Sequence, residues 1–132
     1  HDVDFGDMKS STLTTKAWDA YNKNDLEGVL TYTNKCISLY GAKAKEMQDS
    51  LTEYPWENND KIFSYWALND VGTCLFIQGD AYKKANKLAE ATAAFNKVVK
   101  EYYFAQSWDP QGWFWKPSEG ADQRLQEIKD MQ

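Results

Sequence analysis

Apolar and small residues recur along the chain at spacings of three and four, the period of an amphipathic helix. Leu13, Ala17, Ala20 and Tyr21 predict a first helix, and Ser10, Ser11 or Thr12 can cap it through a short hydroxyl side chain. Asn22 to Asn24 breaks that pattern. Asp25 then stands as the cap of a second helix carrying Leu26, Val29, Leu30, Thr33, Cys36, Ile37 and Tyr40 on one side. So short a connection sets the two helices antiparallel and adjacent. Gly41 reads as a stop, and Ala44, Met47 and Leu51 predict a separate helical stretch after it.

Residues 54–61 read as a loop, because Pro55 disfavours helix just before it and the run Glu57 to Asp60 favours turns. Ile62 to Trp66 leads into a helix with Leu68, Val71, Leu75, Gly79 and Tyr82 on its buried face. A break at 85–87 precedes a fourth main helix, with Leu88, Ala91, Ala94, Phe95, Val98, Val99 and Tyr102 inward. The stretch WDPQGWFWKP at 108–117 cannot be continuous helix, given Pro110, Gly112 and Pro117. Its Trp108, Trp113, Phe114 and Trp115 call for burial, so it is expected to fold back onto the helices. Pro117 suits the first turn of a last helix, where its missing N–H costs nothing, and Ala121, Leu125, Ile128 and Met131 give that helix one apolar stripe.

Offset by 62 residues, the chain repeats itself: Leu13, Asn24, Leu26, Asn34, Lys35 and Tyr40 recur as Leu75, Asn86, Leu88, Asn96, Lys97 and Tyr102. A doubled helical hairpin follows. In the second copy Leu75, Gly79, Tyr82, Ala91 and Phe95 occupy large, small, aromatic, small and aromatic positions; in the first, Leu13, Ala17 and Cys36 fit, whereas Ala20, Val29 and Thr33 depart. At these residues the chain resembles the tetratricopeptide repeat, a helix-turn-helix unit of about 34 residues. The resemblance implies an all-α fold of antiparallel hairpins stacked as a short array, with a capping helix at the end and a groove for extended peptides or partner helices. The longer period places an inserted helix and loop between the copies.

The expected organisation is one domain over 1–132: a flexible arm at 1–9, a first hairpin at 10–40, the inserted helix and loop at 41–66, a second hairpin at 67–103, and the aromatic loop with the capping helix at 104–132. A chain of this length buries roughly two-thirds of its unfolded surface, enough for a core without staples. Repeat units of this kind build binding surfaces more than catalytic clefts.

Charge and chemistry narrow the classes further. A net charge of -5 and a pI near 4.8 argue against nucleic acid as a partner. No run is long and apolar enough for membrane insertion. The chain starts at His1, so a removed export signal is compatible and the compartment stays open. His1 is the only histidine, which leaves no Ser-His-Asp or Cys-His arrangement, and no catalytic residue is assigned. An amino-terminal His can chelate copper, but the second imidazole that strengthens such sites is absent. The run HDVDFGD lacks the spacing and closing Glu of a calcium loop, and no glycine-rich phosphate loop occurs, so no metal or cofactor is expected. Cys36 and Cys74 fit buried free thiols, with a disulfide as the alternative.

Two candidate binding sites remain. Carried over by position, the resembled family's groove falls on Thr14, Trp18, Tyr21 and Asn22 from the first copy and Thr73, Ile77, Asp80, Lys83 and Lys84 from the second. Trp18 lies beside the main stripe, either as an exposed anchor or covered by the arm or the insertion. The cluster Trp108, Trp113, Phe114 and Trp115 is either structural or an aromatic platform for a sugar or a proline-rich peptide. The function expected is therefore a non-catalytic module binding a protein or peptide; a small-ligand or glycan-binding accessory protein is the rival, and a self-assembling subunit, a homo-oligomer, the third reading.

Overall fold

The computed structural model describes residues 3–132; His1 and Asp2, and with them the copper-chelation reading, lie outside the described residues. The described chain is mostly helical: α1 (Ser10–Asn22), α2 (Leu26–Asp49), α3 (Asn59–Phe63), α4 (Trp66–Lys84), α5 (Leu88–Glu101), then a small antiparallel hairpin of β1 (Ser107–Asp109) and β2 (Trp113–Trp115), then α6 (Pro117–Asp130). α1 packs on α2 and α4, α2 on α4, α4 on α5, and α6 against both α4 and α5. α4 is the common neighbour, and its sequence explains why: Ala67, Leu68, Val71, Cys74, Leu75, Phe76 and Ile77 are all buried, so apolar groups face out in several directions.

The two copies close their hairpins identically. Asn24 and Asn86 both take positive φ, 59° and 61°, a conformation that Asn tolerates because its short polar side chain bonds locally. In each turn the chain folds back by the same pair of bonds. Asp25 N donates to Ala20 O and Lys87 N to Tyr82 O, while Asn24 N donates to Tyr21 O and Asn86 N to Lys83 O. The Asp25 carboxylate then accepts from Gly28 N at 2.9 Å, capping α2.

Close packing in the second copy depends on Gly79. A Cβ there would come within 2.6 Å of the Phe95 ring, so the absent side chain lets α4 and α5 approach. Phe95 is fully buried and meets Phe76 edge-on, 5.8 Å between centroids. Burial of such a ring stabilises the fold by about 1.5–3 kcal/mol.

Several expectations are corrected. Gly41 does not stop a helix: α2 runs through it for 24 residues, so 41–49 continues the first hairpin's second helix and is not a separate one. The stop reading relied on a left-handed residue after the helix, whereas Gly41 stays helical and sits beneath Tyr102, whose hydroxyl reaches the Gly41 carbonyl at 3.5 Å. The region read as loop at 54–61 contains the start of α3, because the Asn58 side chain caps it by accepting from Lys61 N. None of Ser10, Ser11 and Thr12 caps α1; the Ser10 hydroxyl donates to Asp70 instead. Residues 3–9 are held against the domain: Phe5 packs edge-on to Tyr32, Lys35 lies over the Phe5 ring, and the Tyr40 hydroxyl donates to Met8 O. Ala121 and Ile128 carry the α6 stripe into the core, but the helix ends at Asp130 and Met131 beyond it is exposed.

Cys36 and Cys74 are free and buried. The neighbouring Cys36 thiol and burial push the Cys74 thiol well above its ordinary range, and its Sγ lies 3.3 Å from Thr14 Oγ1. Among the described residues no helix is long and apolar enough to cross a membrane.

Candidate functional site

The aromatic stretch folds into the β-hairpin of β1 and β2, and the hairpin's period of two sorts its aromatics onto opposite faces. Ser107 pairs with Trp115, Trp108 with Phe114 and Asp109 with Trp113. The loop closes with Gly112 at φ 113°, its N–H bonded to Asp109 O. Trp115 leans back onto the helices, 5.1 Å from Phe76 and 6.5 Å from Trp18 between centroids. Phe114 points the other way, onto Phe63 at 5.0 Å and Trp108 at 4.9 Å. The expectation that all four aromatics are buried needs correcting: Trp108 keeps 40% of its surface exposed and Trp113 keeps 51%. Trp115 and Phe114 each pack on a helical residue, Phe76 and Phe63, whereas Trp113 next to the turn stays open.

The hairpin crosses the face formed by α1, α4 and α6 and divides it into two clefts. The larger, about 860 Å³, takes Trp18 and Tyr21 from α1, Phe76 and Asp80 from α4, and Gln123 and Arg124 from α6. Trp113, Trp115 and Asp109 close it from the hairpin. Gly120 lets α6 lie against the Phe76 ring, where a Cβ would stand 2.7 Å away. The volume is in the range of small-molecule sites, about 300–1,000 Å³. Its walls are aromatic with one ionic feature: Arg124 Nε donates to Asp80 Oδ1 at 2.8 Å. Burial holds the Asp80 carboxyl above its usual range against the pull of Arg124. Burial and the Asp80 charge both raise the Tyr21 phenol.

The second cleft, about 500 Å³, lies on the Phe114 side. Trp18, Trp108, Ser107 and Pro110 line both clefts and form the partition. Thr14, Thr73, Asn69, Asp70 and Gln106 give it a polar floor, and Phe63, Trp66 and Phe114 give it aromatic walls. Asn69 organises the floor: its amide donates to Ile62 O, its Oδ1 accepts from Gln106 N, and Gln106 donates to Pro55 O.

The residues picked from sequence thus separate. Trp18, Tyr21, Asp80, Trp108, Trp113 and Trp115 meet in the larger cleft; Thr14, Thr73 and Phe114, with Trp18 and Trp108 again, line the smaller. Ile77 lines neither, because it is wholly buried with Ala17, Ala20, Val29 and Ala81. Asn22 is exposed outside both. Lys83 reaches Glu127 at 3.8 Å, and the Lys84 ammonium sits over the Tyr21 ring at 4.5 Å, outside either lining. Trp18 is half-buried, and its cover is the β-hairpin, which was neither of the covers expected from sequence. Phe76, Gln123 and Arg124 in one cleft, and Phe63, Trp66, Asn69, Asp70 and Gln106 in the other, were not picked out. The i, i+3 and i, i+4 spacing from Asp80 back to Phe76 and Ile77 was the only available signal, and it does not say which α6 residues would come opposite.

Among the described residues no group of three or more His, Cys, Asp or Glu side chains is placed to hold a metal ion. No protein-family model, curated protein or solved structure matches the chain.

Proposed function

We propose that the protein is a non-catalytic recognition module that takes a peptide, or a segment of a partner protein, along the face formed by α1, α4 and α6. One observation carries the reading: four tryptophans from two separated parts of the chain converge on a single cleft, and two of them remain substantially exposed there. Exposed indoles on a rigid support anchor partners well, because they bring large apolar area at little cost in side-chain ordering. The order of helix packing, with α1, α4 and α6 side by side and α2 and α5 behind, supports a tetratricopeptide-like stack whose groove the β-hairpin narrows. Stacking of this kind and the family resemblance are part of the proposal. The single histidine, at position 1, favours binding over proton-transfer chemistry.

A glycan-binding reading is favoured by one specific observation, the open Trp113 beside Asp109 and Gln123, which can serve as a stacking face with hydrogen-bonding neighbours. Selection from a displayed peptide library and probing of a glycan array, each with the wild type and with Trp18→Ala/Trp113→Ala, separate the two. We expect peptides that bind the wild type saturably and lose binding in the double variant. Glycans with that behaviour would move the function to the second reading. Ligands indifferent to both substitutions would refute the cleft, and concentration-dependent mass in sedimentation with both clefts occluded would favour self-assembly.

A further inference from the structure

Asp70 differs from Asp80, the carboxylate of the larger cleft's ion pair, in what surrounds it. Asp80 has an arginine, whereas Asp70 has no ion-pair partner among the described residues and accepts one hydrogen bond, from Ser10 to Oδ2 at 2.5 Å. Its Oδ1 is not sealed in the core without a partner, since no buried unpartnered side-chain atom occurs among the described residues. That oxygen therefore keeps some accessible surface, and the Asp70 side chain lines the second cleft and the hollow next to it. A partly desolvated carboxylate without a counter-ion attracts a cation.

The rest of the second cleft says which cation. The buried polar side chains on its floor direct a donor into the protein: Thr14 to Ser10 O, Thr73 to Asn69 O, Asn69 to Ile62 O and Gln106 to Pro55 O. The two threonine hydroxyls have thus used their one donor and keep acceptor capacity, which suits a species that donates. Above them stand Trp66, Trp108 and Phe63, whose ring faces attract organic cations. A metal ion would want several oxygen ligands and finds one carboxylate. A guanidinium fork would want both carboxylate oxygens, and Ser10 already holds one.

We propose that the second cleft is a receptor for an aliphatic ammonium group, supplied by a lysine side chain of the bound segment, with the carbon stem between Trp66 and Trp108 and the charge on Asp70 Oδ1. The lysine rests on the peptide reading given above; the ammonium site itself does not. Lys9 lines a neighbouring hollow shared with Asp70 and Trp66 and is the internal competitor for the same oxygen.

The test uses N-acetyl-lysine-methylamide as probe, followed through the indole N–H resonances in two-dimensional NMR. Saturable movement of the Trp66 and Trp108 signals is expected. Asp70→Asn should weaken it at least about tenfold, the scale of one lost charge-assisted bond, while Asp122→Asn, at an exposed carboxylate on α6 outside both linings, leaves it unchanged. Trp66→Leu, which keeps an apolar wall without the ring face, should cost about two- to fivefold. The norleucine analogue, lacking the ammonium, should not bind, and the arginine analogue should bind more weakly. Equal binding to Asp70→Asn, equal binding of the norleucine analogue, or no saturable shift in the wild type would overturn the assignment. If the lysine probe fails while library peptides still bind through Trp113, the ammonium site falls and the peptide reading stands. If the probe binds and no peptide does, the site stands and its lysine source falls.

Discussion

Adding one methyl group at two glycines should have opposite effects. At Gly41 the new Cβ would meet Ile37 and the Tyr102 hydroxyl at 3.7 Å, ordinary contact, in the middle of a long helix. Alanine there gains helix propensity of about 0.8–1 kcal/mol, so Gly41→Ala should stabilise by roughly that amount. At Gly79 the same gain applies, but the Cβ would stand 2.6, 2.7 and 2.8 Å from three atoms of the Phe95 ring. That ring is fully buried and braced by Phe76, so it cannot swing into solvent. Relieving the overlap should cost about 2–3 kcal/mol, the upper part of the range for overpacking. Gly79→Ala is therefore expected to destabilise by about 1–2 kcal/mol net. Urea denaturation followed by far-UV circular dichroism measures both. With a slope of about 1–3 kcal/mol per molar urea, the two midpoints should move apart by about 1 M. A Gly79→Ala variant as stable as the wild type, or the two variants shifting together, would refute the close crossing of α4 and α5.

Phe95→Ala should cost about 3–5 kcal/mol by leaving a cavity against Gly79, which differential scanning calorimetry reads as a lower melting temperature; a change under about 1 kcal/mol contradicts the packing. Burial raises the Asp70 carboxyl above its ordinary value despite the Ser10 bond. The folded state therefore binds that proton more tightly than the unfolded state, and Asp70's contribution falls as pH rises from below about 3.8 through the raised value. Asp70→Asn should accordingly gain stability relative to the wild type between pH 3 and pH 7 in parallel denaturation curves, and a constant difference across that window would sink the claim. Neither Cys36 nor Cys74 is exposed, so both thiols should resist a water-soluble disulfide reagent in the native protein and react fully in denaturant; rapid native reaction would show the core is open.

Legibility followed the range of the interactions. The two turns were readable because Asn24 and Asn86 act through their own backbone, and the helix stripes because a period of three to four is local. Gly41 misled because a glycine looks the same whether it ends a helix or passes under a tyrosine from 61 residues away. In the aromatic stretch, Pro110 and Gly112 correctly excluded helix, yet the hairpin register that turns Trp113 one way and Phe114 the other depends on pairing with Ser107 to Asp109. Trp18 was identified as notable, but its cover came from a segment nearly a hundred residues on. Asp70 was invisible: in sequence it is one acid among many, and only the folded chain withholds a cation from it.

The most direct test of the account is the pattern of indole N–H shifts when a library-selected peptide is added. The chain has six tryptophans, and only some of them belong to the clefts. The account predicts that Trp18, Trp108, Trp113 and Trp115 move saturably while Trp56, outside both linings and 72% exposed, stays still. Movement of Trp56 with the four cleft signals unchanged would contradict it.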